Sequence, residues 1–190
     1  MFRRMTRERY LTDDELARFM RVVRERRHVH QPRDHALFAL LANTGMRPAE
    51  VRSLTRADCH LEGPEPWMDL HRPSKKHGPA PLRYLILNQA VAGIVDRYLS
   101  SVPRQSDAKL FPFTKRQSAR LFHYYADKAG VVPKRKVYAL RHTVGMRLWR
   151  HTHDLRLMQA IMGHTSQSAT AGYVHVDPQQ IRAACVAIGV

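Results

Sequence analysis

Tyr138-Ala-Leu-Arg141-His142-Thr143, then Met162-Gly163-His164, then Ala171-Gly172-Tyr173-Val174-His175: the chain is organised around this stretch. Arg141 offers a planar fork of donors suited to a phosphate. His164 can give or take a proton near neutral pH. Tyr173 carries a hydroxyl that becomes a nucleophile if cations nearby lower its pKa from about 10. Gly163 reads as a helix stop, so His164 follows a helix end, and Tyr173 lies close enough in sequence to fold back beside it. A tyrosine so placed is ordinarily a packing residue. The reading therefore turns on whether other segments supply further phosphate-binding cations.

Composition favours a polyanionic partner. The chain has 190 residues, enough for one domain or one with a small appendage, and 44% hydrophobic residues, enough for a core. Its 32 Lys+Arg against 16 Asp+Glu give a net charge of +16. Nucleic acid is favoured over a membrane surface, because no basic helix with a wide apolar face stands out. No apolar run approaches the roughly 20 residues of a membrane span, and Met1-Phe2-Arg3-Arg4 lacks the apolar core of a signal peptide. Cys59 and Cys185 are far apart, without a CxxC, so neither a disulfide framework nor a zinc site is indicated. The twelve histidines show no ligand spacing. A cytoplasmic location is expected.

In chain order, residues 1–10 read as a basic arm with Arg3, Arg4, Arg7 and Arg9. Thr12 and Glu15 form a capping box, and Leu11 with Leu16 a hydrophobic staple, for a helix expected to run to about His28. The run His35 to Ala42 is apolar all round, as in a buried helix, and Gly45 can take its left-handed cap. Pro48 suits a first helical position, which places Arg47 at a helix N-terminus with Glu50 one turn on, able to orient it. Two strands are expected at Trp67–His71 and Leu82–Leu87, joined by a basic turn that holds Lys75 and Lys76. Asn88 and Thr114 cap two further helices; Arg116 lies on the outer side of the second. Lys134, Arg135 and Lys136 form a basic loop, and a helix from Leu140 carries Arg141. Asp154 caps a helix that ends at Gly163, with Leu155, Leu157, Met158 and Ile161 as its apolar face.

Arg47, Lys75, Arg141 and His164 thus precede Tyr173 on separate elements in a fixed order. The chain resembles the catalytic domain of tyrosine recombinases, the lambda-integrase family. The matching pieces are Thr44-Gly45-Met46-Arg47-Pro48-Ala49-Glu50-Val51, Ser74-Lys75, Leu140-Arg141-His142-Thr143, and Met162-Gly163-His164 with Tyr173 nine residues on. The resemblance implies a mainly α (α+β) fold, with helices around a small antiparallel sheet. It implies catalytic residues Arg47, Lys75, Tyr138, Arg141, His164 and Tyr173, with Glu50 and His142 in support and DNA contacts from Lys76, Arg116, Lys134, Arg135 and Lys136. The activity implied is cleavage and rejoining of double-stranded DNA through a 3′-phosphotyrosyl intermediate, by a homo-tetramer on paired sites, with no metal and no cofactor. It also implies a catalytic domain over 11–177 and a C-terminal helix over 178–190 that either passes to a neighbouring protomer or folds onto its own core. Lys76 competes with Lys75 for the role of general acid. One departure stands out: Tyr138 occupies the position three before the second arginine, where the family usually has His, and a phenol is a poor base at neutral pH. Two other functions use part or all of this constellation: a topoisomerase that relaxes supercoils without pairing sites, and a DNA-binding module with weak or lost catalysis.

Overall fold

A computed structural model of the chain describes residues 7–71, 83–102, 108–131 and 136–163. After a 3-10 turn at Arg7–Arg9, the helices are α1 (Asp13–Glu25), α2 (Gln31–Thr44), α3 (Pro48–Ser53), α4 (Gln89–Leu99), α5 (Lys115–Lys128), α6 (Tyr138–Thr152) and α7 (Leu155–Met162). Between α3 and α4 lies an antiparallel sheet of order β1 (Cys59–His60), β2 (Trp67–Leu70), β3 (Arg83–Ile86). Among the described residues the fold is therefore mainly helical with a small antiparallel sheet, as the sequence led one to expect.

The all-round apolar character of α2 has a direct cause. It packs against α1, α3, α4 and α6, and Ala36 through Ala42 are all buried. Phe38 meets Phe19 of α1 edge-on at 5.0 Å and Tyr125 of α5 at 5.5 Å, while Phe122 lies 5.4 Å from Phe19. Burying each such ring contributes about 2–3 kcal/mol. At the head of α1 both halves of the capping box form: Thr12 N–H donates to Glu15 Oε2 at 2.8 Å and Glu15 N–H to Thr12 Oγ1 at 3.2 Å. Leu11 is buried, and its N–H donates to Thr143 Oγ1 at 2.8 Å, which ties the entry of α1 to α6.

Several boundaries differ from the sequence reading. Helix α1 stops at Glu25 rather than near His28, because Arg26 takes an extended backbone and turns its guanidinium inward to Asp34. Helix α6 begins at Tyr138, two residues earlier than expected. Strand β1 was not foreseen; its two residues are a short edge held to Met68 and Trp67 of β2. On α7, Met158 and Met162 are buried but Leu155 and Leu157 stand exposed, so its apolar face is only partly covered among the described residues.

Asp34 is the most demanding group in the interior. It is fully buried in the first turn of α2, where the helix dipole favours a carboxylate. Arg33 donates to Oδ1 at 2.8 and 3.0 Å, while Arg26 at 3.3 Å and the Tyr125 hydroxyl at 2.7 Å donate to Oδ2. The network joins the end of α1, the start of α2 and the last turn of α5. Removing one partner of a buried pair leaves the other charge uncompensated. Asp34→Ala is expected to cost about 3–5 kcal/mol in urea denaturation, against about 1–2 kcal/mol for Tyr125→Phe, which deletes the hydrogen bonds that the hydroxyl gives to Asp34 and takes from Arg26 but leaves both arginines on the carboxylate.

Candidate active site

Arg47 is the N-cap of α3, reached by the left-handed turn at Gly45 (φ 66°). Pro48 at the first helical position stiffens the turn. Glu50, at the third position, accepts from the Arg47 backbone N–H at 2.6 Å through Oε2 and from the Arg47 guanidinium at 2.9 Å through Oε1. This is half of a capping box, since an arginine side chain has no acceptor to complete the other half. Glu50 is buried, so the ion pair is shielded and fixes the direction of the guanidinium. The other terminal nitrogen of Arg47 donates to the Gly163 carbonyl at 2.7 Å.

Arg141 arrives from the first turns of α6. It is 3% exposed, close to full burial for a cation. Its guanidinium donates to the Gly45 carbonyl and, at 2.6 Å, to the Met162 carbonyl. The two arginines, far apart in sequence, therefore meet at carbonyls of consecutive residues, Met162 and Gly163. These carbonyls close the C-terminus of α7, where Gly163 takes the left-handed cap (φ 59°). A helix C-terminus leaves carbonyls unpaired and carries partial negative charge, and the guanidinium groups answer both. His164 is the next residue in the sequence.

Gly45 is constrained twice. Besides its positive φ, a Cβ there would lie 2.7 Å from Met162 Sδ and 3.2 Å from Val144 Cγ1. The missing side chain lets the end of α2 approach the end of α7 and brings the Gly45 carbonyl under Arg141. Tyr138 is exposed on the first turn of α6, its ring 6.2 Å from that of His142 one turn on. His142 is half-buried. Burial first, then the cations of Arg9 and Arg141, press its pKa down to about 4, so it is neutral at physiological pH. It neighbours Arg141 and points about 100° away from it round the helix. Arg116 and Lys136 are exposed. Lys75, Lys76, Lys134, Arg135, His164 and Tyr173 lie outside the described residues, as do 178–190. Backbone carbonyls as partners of the arginines, and Arg9 near His142, escaped the sequence reading; only the cap glycines hinted at the former.

Two outcomes follow. Gly45→Ala forces a strained backbone and a contact with Met162, and is expected to lower stability by about 2 kcal/mol in denaturant unfolding. The depressed pKa of His142 means that the unfolded chain takes up the proton first: stability is held above the ordinary imidazole value of 6.5 and lost as pH falls toward about 4. Unfolding measured across that window should show a loss on the order of 2–3 kcal/mol, which His142→Asn removes.

Residues 9–180 match the family model described as the phage integrase family. Tyrosine recombinase XerC of Thermodesulfovibrio yellowstonii is 28% identical over 178 residues, covering 89% of this chain and 58% of its own length. Tyrosine recombinase XerD of Shewanella oneidensis is 31% identical over 156 residues, covering 76% of this chain and 49% of its own. The chain thus spans about half the length of the curated relatives it matches. A crystal structure of the XerH site-specific recombinase bound to its difH substrate superposes with a TM-score of 0.78 over 93% of this chain and 53% of that one; at 23% identity the likeness is one of fold. With the family model spanning nearly all of its residues, and the paired arginines where the motif puts them, the chain belongs to the phage integrase family.

Proposed function

We propose that this chain cleaves and rejoins double-stranded DNA as a site-specific recombinase, through a 3′-phosphotyrosyl intermediate. The observation that carries the reading is the meeting of Arg47 and Arg141 on the carbonyls of Met162 and Gly163, directly before His164 in the sequence. The relatives are named tyrosine recombinases, and the XerH structure is a complex with a difH substrate.

The chemistry suits these groups. Attack on a phosphodiester concentrates charge on the non-bridging oxygens, and two guanidinium groups fixed beforehand stabilise that charge without reorganising. Glu50 keeps Arg47 aimed, and His164 hydrogen-bonds the phosphate or the nucleophile. Tyr173 gives up its phenolic proton to a base or to water, its oxygen forms a bond to phosphorus as the bond to the 5′-oxygen breaks, and Lys75 gives the departing 5′-oxygen a proton. The phosphotyrosyl bond conserves the energy of the broken linkage, so a second 5′-hydroxyl reverses the step without ATP. Tyr138 contributes a hydroxyl to hydrogen-bond the phosphate. The basic groups Lys76, Arg116, Lys134, Arg135 and Lys136 contact the DNA backbone. Strand exchange needs four active sites on two paired duplexes, hence a DNA-assembled homo-tetramer, working on nucleoid DNA in the cytoplasm. Residues 11–177 form the catalytic domain, 1–10 a basic arm, and 178–190 a helix that can be exchanged between protomers.

The test is covalent capture on a nicked duplex that loses its 5′-hydroxyl after cleavage. Wild-type protein is expected to form an SDS-stable adduct, and Tyr173→Phe none; an adduct unchanged in Tyr173→Phe overturns the reading. Arg47→Ala and Arg141→Ala are each expected to slow adduct formation by about 10²–10³-fold, and DNA affinity to fall steeply with salt. A plasmid with two target sites distinguishes recombination from simple relaxation. Tyr138→His, which installs a group able to accept a proton near neutral pH, is expected to raise the cleavage rate at pH 7 on the same substrate.

A further inference from the structure

The outer face of the sheet does not share the charge of the rest of the chain. Strand alternation turns Trp67, Tyr84 and Ile86 outward, at 39%, 68% and 67% exposed, and buries Met68, Leu70 and Leu85. The register sets Trp67 opposite Ile86 and Asp69 opposite Tyr84, so these four residues form one patch. With Glu62, Pro64 and Glu65 from the preceding loop, Trp67, Tyr84 and Ile86 line an open groove of about 370 Å³. The indole is held in place: His60 stacks on it at 4.6 Å, and His60 Nε2 lies 2.9 Å from Asp69 Oδ2. Among the described residues β3 pairs with β2 alone, which leaves its far edge without a strand.

Three carboxylates, Glu62, Glu65 and Asp69, bordering exposed aromatic rings repel a DNA backbone. They suit a cation carried on an aliphatic stem, which gains from ring faces and carboxylates together. Among the described residues no strand pairs with that edge of β3, and such an edge suits an extended chain. We infer that this face is a docking surface for an extended, arginine- or lysine-bearing segment of a partner protein, laid along the outer edge of β3 with one cationic side chain over Trp67 and Tyr84 and its charge against Glu62 and Glu65. The inference is independent of the strand-transfer reading, because it uses none of the residues assigned to that reaction.

The whole chain is titrated, at about 0.15 M salt, into a fluorescent peptide of about ten residues that alternates arginine with valine. A second peptide alternates glutamate with valine. A protein of charge +16 repels the first peptide overall, so saturable binding of it reports a local acidic site. The expected result is saturable binding of the arginine peptide, weakened about fivefold or more by Glu65→Lys and by Tyr84→Ala, with thermal unfolding of both variants unchanged. No saturable binding, or equal binding by the wild type and both variants, overturns the inference. Sedimentation of the protein alone provides a second check: self-association that Glu65→Lys abolishes assigns the face to a second copy of this chain and likewise overturns it.

Discussion

Two guanidinium groups held by the carbonyls that end α7 are the contact on which the arrangement depends. Arg141 is nearly buried, and a buried cation is tolerated only when dipoles or anions replace the water it has lost. The carbonyls of Gly45 and Met162 do this for Arg141, and Glu50 with the Gly163 carbonyl does it for Arg47. The requirement runs the other way as well. The end of α7 needs donors for its last carbonyls, and the arginines supply them. Each side stabilises the other, and the order of elements along the chain is what brings them together.

The rest of the fold serves that meeting. Arg47 follows α2 and Arg141 opens α6, and these helices pack directly on one another. Gly45 removes the side chain that would otherwise hold α2 away from α7. Leu11 fastens α1 to Thr143, two residues past Arg141, so the first helix buttresses the same segment of α6. The Asp34 network, at the opposite end of α2 from Gly45, locks the N-terminus of that helix to α1 and α5. A helix fixed at one end by a buried ion cluster and at the other by a close glycine contact has little freedom to shift along its axis. Arg47, hung from its far end, inherits that rigidity.

What was legible in the sequence, and what was not, follows from which interactions are local. Caps and stops are local. Thr12 with Glu15, Asn88, Thr114, Asp154, Gly45 and Gly163 all act where their residue types and spacing suggest. The Arg47–Glu50 pair spans a single turn and was equally readable. Tertiary choices were hidden. Arg26 gives up a helical backbone to reach Asp34, which no local propensity reveals, and α1 is shorter for it. Strand β1 exists because β2 offers it an edge, not because Cys59 and His60 favour extension. At the candidate site, the arginines were legible as residue types in a motif. The carbonyls of Gly45, Met162 and Gly163 that they also engage are backbone oxygens, which have no letter in the sequence.

Among the described residues Arg141 donates to the neutral carbonyls of Gly45 and Met162, which has a consequence for anion binding. A carboxylate at that place would compete with a phosphate charge for charge, and its removal would cost several kcal/mol. A carbonyl dipole binds a guanidinium well enough to offset burial but more weakly than an anion does. A guanidinium has five donors in one plane, so bonds to two carbonyls restrict its orientation. The cost of dehydrating and orienting Arg141 is then met during folding rather than at the moment an anion arrives. Glu50 does place a full charge beside Arg47, but it engages the backbone N–H of that residue too, and so acts as a brace on the helix start as much as a counter-ion. A site built this way keeps positive potential in a fixed geometry. The surrounding excess of lysine and arginine adds long-range attraction for a polyanion, and Glu50 sets the direction of Arg47.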